Sequence, residues 1–284
     1  LLEERKLKNK KTIGIVVLVI FIIAILSFLV WKNLNKTNNE DSETTKIVTS
    51  FYPMYIIAEN LTSGANNVEL LNMADTNVGC LHDYTLNTED MKKVENADIF
   101  ISNGLGMEKF IDKIIDSNKT MDIIDSSENI EGIIEDENEI NAHIWTSIDN
   151  YIQQVKNISE GLENLNQENK SIYQKNADEY IKKLEELKNK FVNEINLKGK
   201  KAVVLNEAFE YLGKELGLDM INVESDHEES TLSAEKLKTI IDTVKKENIQ
   251  IILIDKNDNK SNAETIANET GAKIYELNSA LTGT

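Results

Sequence analysis

From Lys46 onward, short apolar runs alternate with longer stretches whose apolar residues recur every three or four positions. Parallel strands need helical crossovers of a dozen or more residues, so this alternation implies mostly parallel sheets covered by helices. Lys46-Ile47-Val48-Thr49-Ser50-Phe51 reads as a buried strand, and Pro53, the only proline, suits the first turn of a helix reaching Leu61. Further strands are expected at 68–71, 99–101 and 121–124, with helices at 88–96 and 107–115. Glu89 and Asp90 complement the dipole of the first of these helices. Beyond Lys198-Gly199-Lys200 the pattern resumes, with strands at 202–205, 220–223, 251–254 and 273–276 and helices at 208–216, 233–247 and 261–270. Gly217 and Gly271 stand where helix C-caps belong. Between the two sets, 147–195 reads as one long helical stretch, with Tyr173, Ala177, Tyr180, Leu184, Leu187, Phe191 and Ile195 on one face. Two to three such repeats fit a packed helix better than a free coiled coil. The expected architecture is an α/β fold of two lobes, 46–146 and 199–284, each a mostly parallel sheet flanked by helices, joined by one long backbone helix at 147–198.

Ahead of the lobes, residues 13–31 are apolar without interruption or charge. At 1.5 Å per residue such a run spans roughly the 30 Å hydrocarbon core of a bilayer. Five basic residues precede it, which places the flank 1–12 in the cytoplasm and everything after Trp31 outside. The exit Phe28-Leu29-Val30-Trp31 lacks a small-x-small cleavage pattern, so an uncleaved anchor is expected over a cleaved signal peptide. Residues 32–45 are a polar linker. The 284-residue chain carries a formal charge of −18, and residues 1–36, with seven basic and two acidic side chains, are +5, leaving −23 for the rest. That outer charge repels phosphate backbones and concentrates cations, so nucleic acid is not expected as a partner. The single cysteine, Cys80, excludes an intrachain disulfide framework and a thiolate-only zinc cluster.

The chain has only three histidines, and each falls on a loop that follows an expected strand: His82 after 68–71, His143 after 121–124, His227 after 220–223. Ligands of open α/β sheets bind beyond the carboxyl ends of the strands. If the lobes share one cleft, three imidazoles can meet there. None belongs to a C-x-x-C or H-E-x-x-H unit, and a lone histidine is more often a surface or hydrogen-bonding residue than a ligand.

Gly79-Cys80-Leu81-His82-Asp83-Tyr84, followed by Thr88-Glu89-Asp90, Ala97-Asp98 and Ser102-Asn103-Gly104, resembles the first histidine loop of the cluster A-I substrate-binding proteins of zinc and manganese ABC importers. Ala142-His143-Ile144-Trp145-Thr146-Ser147 resembles that family's D-P-H-x-W-x-S-P loop, and VVLNEAFEYL at 203–212 its F-H-D/E-A-F-x-Y segment. The resemblance runs from about Lys46 to the C-terminus. It implies a cleft in which His82 and His143 hold a divalent metal. By the same resemblance the family's third ligand, histidine or glutamate, falls on Asn206, and its fourth, an aspartate, on Asn278. Amides hold such metals more weakly than imidazole or carboxylate. The lipidation cysteine common in the family is absent, and an end at Thr284, short of the family's further helix, suggests a fragment.

His227, in the acidic run Glu224-Ser225-Asp226-His227-Glu228-Glu229, is the preferred replacement for the third ligand. Glu207 is next, and Glu228 or Glu229 are alternatives, as is Cys80 in a C-x-H pair with His82. Asp83 suits either an acceptor for His82 or a loop role. The function the resemblance implies is an extracytoplasmic, membrane-anchored solute-binding protein at the cell surface. It would capture a divalent transition metal, zinc before manganese, and deliver it to an ABC permease. No catalysis is expected, since a zinc hydrolase would need an open coordination position and a general base that no local motif supports. The alternative is a membrane-anchored adhesion or interaction protein whose metal site has degenerated, motivated by Asn206 and Asn278.

Overall fold

A computed structural model describes residues 44–75, 81, 84–136, 139–222 and 232–281, and Ser27 alone among the first 43. Apart from Ser27, the expected anchor at 13–31 lies outside the described residues. No helix among those described is long and apolar enough to cross a membrane.

The first sheet is laid down by β1 (Thr45–Thr49), α1 (Tyr52–Thr62), β2 (Val68–Asn72), α2 (Thr88–Glu95), β3 (Ile99–Ser102), α3 (Ile111–Ser117) and β4 (Asp122–Asp125). Its order is β2-β1-β3-β4 with every pairing parallel. The central strands are the most apolar: Ile47 and Val48 are fully buried, and all four residues of β3 are buried. Pro53 sits at the start of α1, as its missing donor and fixed φ favour. Asn87 and Asp90 cap α2 reciprocally, each side chain accepting from the other's backbone N–H. α3 begins later than the periodicity suggests because Glu108 is drawn inward, where its carboxylate accepts from the backbone N–H groups of Asn103 (2.7 Å) and Gly104 (3.1 Å).

The polar loop after β4 holds a minimal antiparallel pair, β5 (Glu135–Asp136) and β6 (Glu139–Ile140), which the sequence did not announce. A second departure follows. The stretch expected as one helix over 147–195 is two: α4 (Ile148–Leu165) and α5 (Lys170–Glu194), packed against each other across a turn at Gln167–Asn169. Asn166 leaves the helical region (φ −126°, ψ 77°), and its side chain accepts from the Asn169 N–H and donates to Thr45 Oγ1 at 2.8 Å. Asn169, fully buried, exchanges two hydrogen bonds with the backbone of Asn66. Asparagine competes for backbone partners in this way, and four consecutive polar residues break the helix where apolar spacing alone would carry it through. α5, not the whole stretch, is therefore the helix leading to the second sheet. Tyr173 and Ala177 of its stripe are buried, Tyr180 and Leu184 half so, while Leu187 is 43% exposed because the helix has left the first core by then.

The second half is β7 (Lys201–Val204), α6 (Glu210–Glu215), β8 (Asp219–Asn222), α7 (Ala234–Glu247), β9 (Ile251–Asp255), α8 (Ser261–Thr270) and β10 (Lys273–Leu277). Its order, β10-β9-β7-β8, repeats the all-parallel plan of the first. Side chains alternate across this sheet. Val203, Ile252 and Ile254 pack on one face with α7 and α8, while Ala202, Val204 and Leu253 pack on the other with Phe209. Gly271 caps α8 in the left-handed region (φ 78°). The two-lobed α/β architecture with a long connecting helix is thus present.

Candidate metal-binding site

The carboxyl ends of the central strands carry the polar groups. After β1, Phe51 meets Trp145 edge to face, with ring centroids 5.0 Å apart. After β3, the Asn103 side chain donates to the Ala142 carbonyl (2.9 Å) and accepts from Gln154 Nε2 of α4 (3.0 Å). Burial pushes the Glu108 carboxyl, which braces this corner, above the usual carboxylate range, although its backbone donors pull the other way. Gly104 follows with φ 86°, and a Cβ there would fall 2.0 Å from Asp125 Oδ1. These contacts fix the short loop 141–147 between β6 and α4.

His143 lies in that loop and is 3% exposed, its ring 5.1 Å from that of Trp145. Asn141 Oδ1 accepts from both the backbone N–H and Nδ1 of His143, each at 3.0 Å. Because that oxygen only accepts, the contact needs a proton on Nδ1, and in the neutral ring Nε2 is then the nitrogen with the lone pair that a metal requires. The second half closes over the same loop. Asn141 Nδ2 donates to the Glu207 carbonyl and to Glu210 Oε2, both at 3.0 Å. The Tyr211 hydroxyl donates to the Asn141 carbonyl (2.7 Å) and accepts from the Ile134 N–H (3.0 Å). Trp145 Nε1 donates to the Ser279 carbonyl just past β10 (2.7 Å). Asp255, buried at the end of β9, accepts from the Ser279 N–H at 2.8 Å.

Of the four residues put forward as ligands, the structure brings two together. Glu207 Oε1 stands 3.7 Å from His143 Nδ1, and its side chain is 41% exposed. It faces the protonated edge of the ring. His82 and His227 lie outside the described residues, as do Cys80, Asp83, Glu228 and Glu229. Among the described residues no group of three or more histidine, cysteine or acidic side chains could hold a metal ion. Asn206 is occupied elsewhere: its Oδ1 accepts from the Ala208 N–H (2.9 Å), and its Nδ2 donates to Asp258 Oδ2 (2.8 Å). Burial, aided by the nearby Asp255 charge, raises the Asp258 carboxyl above its ordinary range. Asn278 Oδ1 accepts from the Ala280 N–H in a local turn (3.1 Å). Both amide oxygens thus serve the backbone of their own loops, while the Asn206 nitrogen reaches across to Asp258.

Asn141 was not singled out in the sequence, and Asn103, Glu210 and Tyr211 stood there only as parts of the segments that carry the family resemblance, without a role at the site. An asparagine two residues before a loop histidine is the one local signal, since that spacing suits a turn in which the amide accepts from the histidine backbone. The partners from the second half lie in the 203–212 segment, but nothing local there points to Asn141.

A family profile described as zinc-uptake complex component A, periplasmic (ZnuA), matches residues 47–284. The chain is 29% identical over 283 residues to the high-affinity zinc uptake system protein ZnuA of Bacillus subtilis, covering 91% of this chain and 87% of that protein. It is 26% identical over 242 residues to the manganese-binding lipoprotein MntA of Halalkalibacterium halodurans, covering 83% and 79%. Of the zinc-binding AdcA proteins that it matches, it spans about half the length. The structure resembles a crystal structure of ZnuA with a TM-score of 0.74 at 26% identity, covering 84% of this chain and 92% of that one.

Proposed function

The chain belongs to the family of the periplasmic zinc-uptake complex component A, and on that premise we propose that it captures a divalent metal outside the cytoplasm for an ABC permease. The family consists of solute-binding components, which hold their cargo without transforming it. Zinc is the expected cargo and manganese the alternative, because imidazole donors suit zinc while manganese favours more oxygen. We take His82, His143 and His227 as the imidazole ligands, with Glu207 supplying oxygen. Its side chain is 41% exposed and stands 3.7 Å from His143 Nδ1, next to the ring that we assign to the ion. We take 46–146 and 199–284 as the lobes that embrace the ion, and residues 13–31 as the segment that holds the protein at the membrane.

One observation carries this reading. The buried His143 is held by its neighbours through Nδ1, at the carboxyl ends of two parallel sheets whose halves meet on its loop. Calorimetric titration with zinc tests it. Saturable binding well below millimolar zinc is expected, weakened strongly by His227→Ala and by His143→Ala. No saturable binding in that range would sink the reading and leave the degenerate, adhesive alternative.

A further inference from the structure

We propose that Asn141 is a positioning residue that selects the proton-bearing nitrogen of His143 and ties that choice to the second half of the molecule. The proposal rests on the reading of His143 as a metal ligand. All four hydrogen-bonding directions of the Asn141 amide are used, and they agree on one orientation. Its oxygen meets two donors of His143, the backbone N–H and Nδ1. Its nitrogen meets two acceptors of the second half, the Glu207 carbonyl and the Glu210 carboxylate. Turning the amide over would set its N–H groups against the His143 backbone N–H and its oxygen against a carboxylate, so it has no second state.

Two consequences follow from that geometry. First, His143 is held as the Nδ1–H tautomer, with Nε2 aimed away from Asn141 and free of the proton that a metal would have to displace. Free imidazole side chains favour the opposite tautomer, so the amide has work to do here. Second, the bond that orients the ring belongs to the same planar group that grips the segment from Glu207 to Glu210. A shift of α6 relative to loop 141–147 pulls on the amide, and the amide pulls on the ring. Tyr211, which bonds both the Asn141 carbonyl and the Ile134 N–H, holds this loop against α6 from the other side. Ligand orientation and the seating of one half on the other are thereby one property. A carboxylate at position 141 would keep the first function and lose the second, since it would bring a charge against Glu210 in place of two donors.

The test reads the tautomer directly in the metal-free full chain. Long-range proton–nitrogen correlation spectra resolve the three histidines, and His143→Gln assigns the signal of interest. We expect wild type to show a protonated Nδ1 and an unprotonated Nε2 at His143. Asn141→Ala should lose that signature, and it is made in a Glu207→Gln background so that the carboxylate 3.7 Å from Nδ1 cannot take over. Asn141→Asp, which keeps the acceptor and the side-chain shape, should retain it and serves if the alanine variant fails to fold. An unchanged Nδ1–H signature in the alanine variant, or its loss in the aspartate variant, overturns the proposal. Zinc titration of the same proteins reads the coupling: affinity should fall about 10- to 100-fold in Asn141→Asp relative to wild type, and in Asn141→Ala relative to Glu207→Gln alone. Unchanged affinity in Asn141→Asp overturns the tie to the second half. Unchanged affinity in His143→Ala would instead overturn the assignment of His143 as ligand, while the spectra still decide what Asn141 does to the ring.

Discussion

Asn206 sits where the family resemblance puts a ligand, yet its amide is spent on the Ala208 N–H and on Asp258. It behaves as the cap of the short turn Glu207–Phe209. Asn206→Ala should therefore lower the unfolding free energy by about 1 kcal/mol, the usual worth of such a cap, and leave zinc affinity unchanged. Denaturant melts and calorimetry check the two halves of that statement, and a tenfold loss of affinity would show the amide to be a ligand. Glu108 makes a different claim, on pH. Its native carboxyl holds a proton more tightly than it would in the unfolded chain. That contribution to stability is present in acid and is lost as pH rises from the unfolded value near 4.3 through the raised native one. The advantage of wild type over Glu108→Gln should accordingly shrink across that window and stay level above it, as measured by denaturant melts at a series of pH values. His143 and Glu207 were legible as candidates because each stands in a motif of recognisable spacing. Asn141 was not, because three of the groups that give it meaning, Glu207, Glu210 and Tyr211, come from a distant part of the chain, and only folding brings them within 3.0 Å.

At the scale of elements, periodicity located every strand of both four-stranded sheets and nearly every helix, since apolar strands and one-sided helices leave distinct spacings. What it could not see was the break between α4 and α5. The apolar stripe resumes in phase after the turn, so the interruption is written only in the polar residues Asn166 to Asn169, whose partners lie near β1 and β2. The packing of α4 on the sheet shows how close that layer is. A Cβ at Gly161 would come within 2.7 Å of the Ile124 side chain of β4. Gly161→Ala gains helix propensity but forces that side chain to move, and we expect a net loss of about 1–3 kcal/mol, measured by thermal or chemical unfolding. A gain in stability would mean that β4 yields more easily than its burial suggests.

For the molecule as a whole, two sheets of the same order and sense present their carboxyl ends to a single loop. A chain with an apolar segment at 13–31 and an acidic remainder has little else in its composition to say what it binds, and the loop supplies the rest. The indole of Trp145 touches both sides of that junction, meeting Phe51 of the first half edge to face and donating to Ser279 of the second. The chain has one other tryptophan, Trp31, at the end of the apolar run. Past residue 31, then, the one tryptophan lies 5.1 Å from the imidazole that we assign to the metal. Zinc added to the protein should change the intensity or wavelength of its emission with the same midpoint as the heat of binding, and His143→Ala should abolish the change. The molecule carries its own optical gauge of occupancy.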